Sequence, residues 1–269
     1  MPDYKLHTLN GYISNIYIAE YSDKLLLLDC GTKNDVERIR KFCEEKLNRS
    51  IKDIKLAIVT HNHPDHSGGA TLLRQLYGIP LAAGKGVDLW YKGISGFIQH
   101  KIDCMLAHVV RHANRKNLQP VVFNRYVKPD YTINDYGHLP GFSDWQVLYV
   151  PGHTLHDIVL YNKENRLLYS SDCIITVNGR YNLPIPVFFP FTMKQSFQKL
   201  MTLDITTLIP AHGGIIETES PEIEFKKMIH LLDLPATEMA KTVHKISIFT
   251  PQVWKAYLQK LKRRYREKF

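Results

Sequence analysis

A chain of 269 residues, 44% hydrophobic and 23% charged, is long enough to bury a core as one large domain or as one domain with an appendage. Its formal charge of +9 calls for an anionic partner to be considered, while its longest apolar runs, such as Leu25-Leu26-Leu27-Leu28, fall far below the roughly 18 residues that cross a bilayer. Cys30, Cys43, Cys104 and Cys173 have no CxxC spacing, so neither a disulfide framework nor a thiolate zinc site is indicated; Met1-Pro2-Asp3-Tyr4-Lys5 lacks the pattern of a signal peptide, and a cytoplasmic location is expected.

Residues 5–29 read as strands, the last being the buried run Lys24–Asp29 ended by Gly31. Val36, Ile39, Phe42, Cys43 and Leu47 share one face of a helix over 34–48, with Asn34 as its N-cap. Lys55–Thr60 is a buried strand leading into His61, and a helix over about 67–77 is closed by Gly78. Residues 85–140 break this rhythm. Ile98, Ile102, Met105, Leu106, Val109 and Ala113 form a helical stripe whose opposite side carries Lys101, His108, Arg111, His112 and Arg115. Strands return at 145–150, 157–162 and 166–171, a Pro- and aromatic-rich loop spans 178–191, a helix covers about 193–203, and Thr207-Leu208-Ile209 is a short strand. Everything after 220 reads as helix, ending in Lys262-Arg263-Arg264-Tyr265-Arg266. The pattern predicts an α/β protein with a catalytic domain over 1–220, a helical insertion at 85–140 bordering the site, and a basic helical C-terminal extension over 221–269.

The charge is uneven. Residues 85–140 hold eight Lys and Arg against four Asp and Glu, residues 221–269 hold eleven against five, and the remainder holds sixteen against seventeen. The body is therefore neutral and two segments carry the excess, either as solvated helical faces or as a surface for an anionic partner.

The densest chemistry is Thr60-His61-Asn62-His63-Pro64-Asp65-His66-Ser67. Three imidazoles and a carboxylate lie between a strand and a helix, and they are ligand types that divalent zinc, iron or manganese accepts. His61 and His63 can point one way while Asp65 and His66 point another, which suits two adjacent ions. His153 in Pro151-Gly152-His153-Thr154, Asp172 in Ser170-Ser171-Asp172, and His212 in Pro210-Ala211-His212-Gly213-Gly214 each follow a strand pattern. This HxHxDH, PGHT, strand-end Asp and final His-Gly set resembles the metallo-β-lactamase-fold superfamily of hydrolases over roughly 5–84 and 141–220, nearest its glyoxalase-II and lactonase branch.

The resemblance implies an αββα sandwich of two mixed β-sheets flanked by helices, with the site along one edge. It implies that His61, His63 and His153 hold a first metal ion and Asp65, His66 and His212 a second, with Asp172 bridging and Asp29 supporting a ligand imidazole. Two divalent ions, zinc before iron or manganese, would generate a bridging hydroxide near neutral pH, with Asp65 as the proton acceptor. The sequence departs from the family pattern in three places: His156 stands where a glycine is usual after PGHT, Ser171 where a glycine precedes the bridging Asp, and Ala211 where a glycine precedes the last His. Cys173 invites an alignment with a cysteine ligand, but Asp172 fits the spacing better. Trp90, His156, Tyr181 and Phe188 are candidate substrate contacts if the insertion and the 181–191 loop border the cleft, although His156 could equally fill its loop. The implied reaction is hydrolysis of a carboxylic thioester, lactone or ester with an apolar group. A nuclease or phosphodiesterase of the same fold is the alternative, and a mono-iron sulfur dioxygenase a more distant one. The expected partner is a small-molecule substrate of apolar or acidic character, with nucleic acid less favoured; the sequence leaves the oligomeric state open, a homodimer being compatible with it.

Overall fold

A strand whose every residue is apolar is stable only if both of its faces are covered. Leu25–Leu28 is such a strand, Ile54–Val59 is one apart from the exposed Lys55, and the computed structural model places them side by side in the interior of a sheet. The structure describes residues 3–114, 119–218 and 220–266; Arg115 of the helical stripe, and the side chains at 111–114, 216 and 260–266, lie outside the described residues.

The first sheet runs in chain order: β1 (Tyr4–Asn10), β2 (Asn15–Tyr21), β3 (Leu25–Leu28), β4 (Ile54–Val59), β5 (Leu81–Gly84) and β6 (Tyr131–Ile133). Its first three strands pair antiparallel and β3 to β6 pair parallel. The second sheet contains β7 (His138–Leu139), β8 (Phe142–Tyr149), β9 (Ile158–Asn162), β10 (Leu167–Ser171), β13 (Thr207–Pro210) and β14 (Ile216–Glu217), in the order β14-β13-β10-β9-β8-β7. The strands β11 (Ile175–Val177) and β12 (Arg180–Asn182) form a separate hairpin. Because β9 is antiparallel to both β8 and β10 while β13 is parallel to β10, the strands β8, β10 and β13 all point the same way.

Three apolar clusters make the layers. Leu26, Leu28, Leu56 and Ile58 from the first sheet meet Trp145, Val147, Leu160 and Tyr169 from the second. The opposite faces of β3 and β4 pack on α1 (Val36–Lys41) and α3 (Ala70–Tyr77) through Val36, Ile39 and Leu73. The outer face of the second sheet packs on α5 (Pro190–Leu200) and α6 (Pro221–Asp233) through Met193, Phe197, Phe225 and Met228. This is the αββα sandwich of two mixed sheets.

Several local expectations are revised. The cap of the first helical segment is Thr32 rather than Asn34: the Thr32 side chain accepts from Asn34 N, and Asp35 reaches back to Thr32 N at 2.7 Å, completing a capping box. The helix ended by Gly78, which has φ +71°, is preceded by a separate short turn, α2 (Pro64–Ser67). The 85–140 segment contains one long helix, α4 (Gly93–Asn114), but it also supplies β6 and β7, one edge strand to each sheet. The apolar stripe of α4 is not its buried face. Ile98, Met105 and Val109 are exposed, whereas Gln99, His100, Asp103 and Cys104 are buried, because this helix packs over a polar site rather than over a sheet. Two further helices, α7 (Glu238–Ile246) and α8 (Pro251–Arg266), end the described chain, and Val253 of α8 packs with Trp90, Tyr91 and Cys104. Among the described residues no helix is long and apolar enough to cross a membrane.

Leu26 is fully buried between the two sheets, so Leu26→Ala should lower the unfolding free energy by about 2–5 kcal/mol. The expected reading is a lower urea midpoint at unchanged slope; a loss below about 1 kcal/mol would mean that the sheets close over the void.

Candidate metal centre

The functional side chains lie where parallel strand ends meet. His61, His63, Asp65 and His66 follow the C-terminal end of β4; His153, Asp172 and His212 follow β8, β10 and β13, whose C-terminal ends share one edge of the second sheet. The loop after β4 is fixed from within. Asn62 donates from Nδ2 to the carbonyls of Val87 and Arg125 and accepts Ser67 Oγ at 2.8 Å, while its backbone N–H donates to His156 Nε2 at 3.0 Å. Proline at the first position of α2 suits a helix start, and it begins the turn that brings Asp65 and His66 round to the site.

Beneath the loop lies Asp29, itself at φ +63°. Its carboxylate accepts Thr60 N at 2.8 Å, Thr60 Oγ1 at 2.8 and 2.9 Å, Tyr169 OH at 2.7 Å, Ser171 Oγ at 3.2 Å and the ring Nδ1 of His66 at 2.8 Å. That last bond leaves His66 Nε2 facing the cleft. His153 is oriented the same way, its Nδ1 donating to the Pro186 carbonyl at 2.6 Å, and His61 Nδ1 lies 3.2 Å from Thr60 Oγ1. Each of these three imidazoles thus has one nitrogen tied to the protein and the other facing the cleft.

The free nitrogens converge. His63 Nδ1 is 3.1 Å from His61 Nε2 and 2.9 Å from His153 Nε2. A second group joins Asp65, His66 and His212, with Asp65 Oδ2 3.0 Å from His212 Nε2 and 3.5 Å from His66 Nε2. Asp172 stands between the groups. Its Oδ2 is 3.9 Å from His61 Nε2 and 3.8 Å from His153 Nε2, whereas its Oδ1 is 3.3 Å from His66 Nε2 and 3.5 Å from His212 Nε2. Burial, reinforced by neighbouring imidazoles, holds His61 and His63 well below the usual histidine range, so both are neutral. In the second group burial opposes charge, but Asp172 and Asp65 outweigh it and hold His66 and His212 above that range. Burial likewise works to raise Asp65 and Asp172, and the positive His66 and His212 overcome it. His66 Nε2 and Asp172 Oδ1 are buried without a hydrogen-bond partner, a state that normally costs about 1–3 kcal/mol per group. Three lone-pair nitrogens, two carboxylates and these orphaned atoms fit divalent cations, which satisfy all of them together.

Ser171, which stands before Asp172 where the resemblance leads one to expect glycine, lies at φ +47° where the β10–β13 register shifts. The backbone therefore adopts the left-handed turn that glycine makes easily, and the Ser171 hydroxyl bonds Thr60 Oγ1 at 2.7 Å. Gly213, after His212, has φ +102°, and a Cβ there would collide with Thr176. Cys173 is buried in the outer core of the second sheet and belongs to neither donor group.

A cavity of about 250 Å³ opens over the donors, its apolar side formed by Ile13, Leu106, Val110, Ile175 and Ile185. None of the four aromatic substrate candidates lines it. Trp90 is fully buried behind the site, its ring 6.1 Å from that of His63 and 5.4 Å from that of His156. His156 serves the loop by accepting from Asn62 N, and burial lowers it to about 3. Tyr181 lines a different cleft beside Glu224, and Phe188 a groove beside Leu231 and His244. One polar residue of the cavity wall was not among the sequence candidates: Asp103 of α4, pushed up to about 6 by burial despite hydrogen bonds from Tyr91 and Gln99.

Two donor groups sharing one carboxylate, at the edge of an αββα sandwich, define a metal-binding hydrolase fold. The chain belongs to the metallo-beta-lactamase superfamily, whose pattern matches residues 9–212. Members of that superfamily are metal-dependent hydrolases. Among its relatives is the probable metallo-hydrolase YflN of Bacillus subtilis, 21% identical over 77% of this chain and 83% of that protein. The hydroxyacylglutathione hydrolase GloC of Haemophilus influenzae is 24% identical over 64% and 72% of the two chains. The exodeoxyribonuclease WalJ of Streptococcus pneumoniae is 28% identical over 40% of this chain and 38% of its own. Of solved structures, the metallo-beta-lactamase family protein TTHA1429 of Thermus thermophilus superposes with a TM-score of 0.64 at 16% identity, covering 97% of this chain and 95% of that one. TTHA1623, solved in a di-iron-bound form, gives 0.55 at 21% identity over 79% and 94%.

Asp29→Ala would leave the Thr60 backbone N–H and the Tyr169 hydroxyl as buried donors without their acceptor and His66 Nδ1 without its carboxylate. It should destabilise the metal-free protein by about 3–5 kcal/mol, measured by chemical denaturation; a change within about 0.5 kcal/mol would remove Asp29 from its place as the support of the site.

Proposed function

We propose that the protein is a dinuclear metal-dependent hydrolase of carboxylic thioesters, lactones or esters bearing an apolar group. The observation that carries this reading is the division of Asp172, with Oδ2 beside the His61 and His153 nitrogens and Oδ1 beside those of His66 and His212. One carboxylate shared by two donor groups suits two ions, not one. Divalent ions held here, zinc by donor preference with iron or manganese as alternatives, would supply Lewis acidity and a nucleophilic water at neutral pH.

The protein's own contribution is placement. His61, His63 and His153 would hold one ion and Asp65, His66 and His212 the other, with His61, His66 and His153 already turned by their second nitrogens. Asp65 lines the cavity, where its carboxylate would accept the proton released by the attacking water and return it to the leaving group. The apolar wall of Ile13, Leu106, Val110 and Ile175 would exclude water and seat the hydrocarbon part of the substrate. Likeness to a hydroxyacylglutathione hydrolase supports carboxylic chemistry. A second reading, phosphodiester cleavage, draws on the partial likeness to an exodeoxyribonuclease and on the basic charge of residues 221–269. An apolar cavity wall is a poor match for a nucleic-acid backbone.

Elemental analysis of the purified protein should find two equivalents of divalent metal, falling to about one in His63→Ala. On thioester, lactone and phosphodiester chromogens, the carboxylic substrates should turn over in the wild type and lose at least about 100-fold in that variant, since changes to outer-shell partners alone cost 10–100-fold. Phosphodiester turnover that declines steeply with salt, without carboxylic turnover, would replace this reading by the second.

A further inference from the structure

His63 differs from His61, His66 and His153 in what supports it. His61 and His66 lean on Thr60 and Asp29 at the strand ends, and His153 leans on the Pro186 carbonyl. The outward nitrogen of His63, Nε2, instead faces Asp103 on α4, with Oδ2 at 3.9 Å, and among the described residues no other carboxylate lies within 4 Å of it. Asp103 is buried and doubly held: Tyr91 OH donates to Oδ2 and Gln99 Nε2 to Oδ1, both at 2.7 Å. Gln99 is itself oriented by the segment between α7 and α8, where Phe249 N donates to Gln99 Oε1 at 2.9 Å. A backbone N–H can only donate, so the Gln99 oxygen must face Phe249 and its NH₂ must face Asp103. A relay thus runs from the C-terminal extension through the inserted helix to a ligand imidazole.

We propose that Asp103 is the positioning residue of His63, anchored by Tyr91 and by a Gln99 that the C-terminal extension orients, and that it keeps the ring hydrogen on Nε2 so that Nδ1 offers its lone pair to a divalent cation. At 3.9 Å the contact is too long for a hydrogen bond. It acts through charge: a carboxylate in a dry wall attracts the N–H end of the ring and disfavours the tautomer that would turn a lone pair toward it. The inference rests on the dinuclear reading of the site. It assigns to the two segments outside the sandwich one shared task, which is to finish the half of the site that the strand ends leave unsupported.

The test combines zinc affinity, from competition with a chromophoric chelator, with ring ¹⁵N chemical shifts of His63 in the metal-free protein. Asp103→Asn should weaken one of two zinc equivalents by about 10–100-fold and shift the His63 ring toward a mixture of tautomers. Asp103→Glu should restore most of both readouts. Gln99→Met, which fills the same space but cannot donate to Asp103, should give a smaller loss in the same direction, and it takes the place of Asp103→Asn if that variant does not fold. Two zinc equivalents of unaltered affinity in Asp103→Asn, with His63 still protonated on Nε2, would overturn the proposal; a raised KM alone would do the same, since it would make Asp103 a substrate contact. Wild-type protein that binds fewer than two ions would refute the dinuclear reading instead, and the His63 shifts of metal-free Asp103→Asn would still decide the tautomer.

Discussion

The buried carboxylate of Asp29 is the contact on which the rest of the site depends. It sits at the end of β3, yet its partners come from the end of β4, from α2 and from β10 in the other sheet. The two sheets can therefore not shift against each other without stripping hydrogen bonds from a buried charge, a far larger penalty than the loss of any single apolar contact. Everything above Asp29 inherits this precision. His66 is aimed by it directly, Thr60 carries its influence to His61, and Ser171 carries it to the residue before Asp172.

The donors themselves were legible in the sequence because their chemistry is unusual and their positions are regular. Four of them crowd into six residues after an apolar strand, and the other three each follow another strand pattern, which is where side chains leave a sheet edge. The sandwich was legible for a related reason: wholly apolar strands such as Leu25–Leu28 require cover on both faces. What failed was the reading of faces. On α4 the apolar stripe pointed to the wrong side, since periodicity shows that two faces differ but not which one turns inward when the interior is polar. Asp103 was hidden by the same ambiguity, as one acidic residue on a helix with ordinary spacing.

Aromatic content misled in a different way. Trp90 and Phe188 look like a wall for a substrate, but a large ring gains most where it is completely enclosed, and Trp90 is spent on backing His63 and His156. The surfaces that do face the cavity are branched aliphatics, Ile13, Leu106 and Val110 of α4, and Ile175, from three places that sequence alone does not bring together. His156 illustrates how a motif departure can be structural: replacing a glycine, it provides the acceptor for Asn62 N and thereby stiffens the ligand loop. The charge of the chain divides in the same sense, with a neutral remainder and basic additions of which α4 reaches the site through Asp103, Leu106 and Val110.

Ser171 carries a consequence for how the site meets an ion. A residue other than glycine at φ +47° gives up about 1–2 kcal/mol of backbone ease, and here the hydroxyl returns part of it through Thr60 and Asp29. Glycine at this position would leave the following carboxylate on a chain with many more accessible conformations. With serine, most of that freedom has already been surrendered on folding, so Asp172 would lose little further entropy on binding a divalent ion. The departure from the family pattern thus moves an entropic cost from the moment of ion capture to the moment of folding.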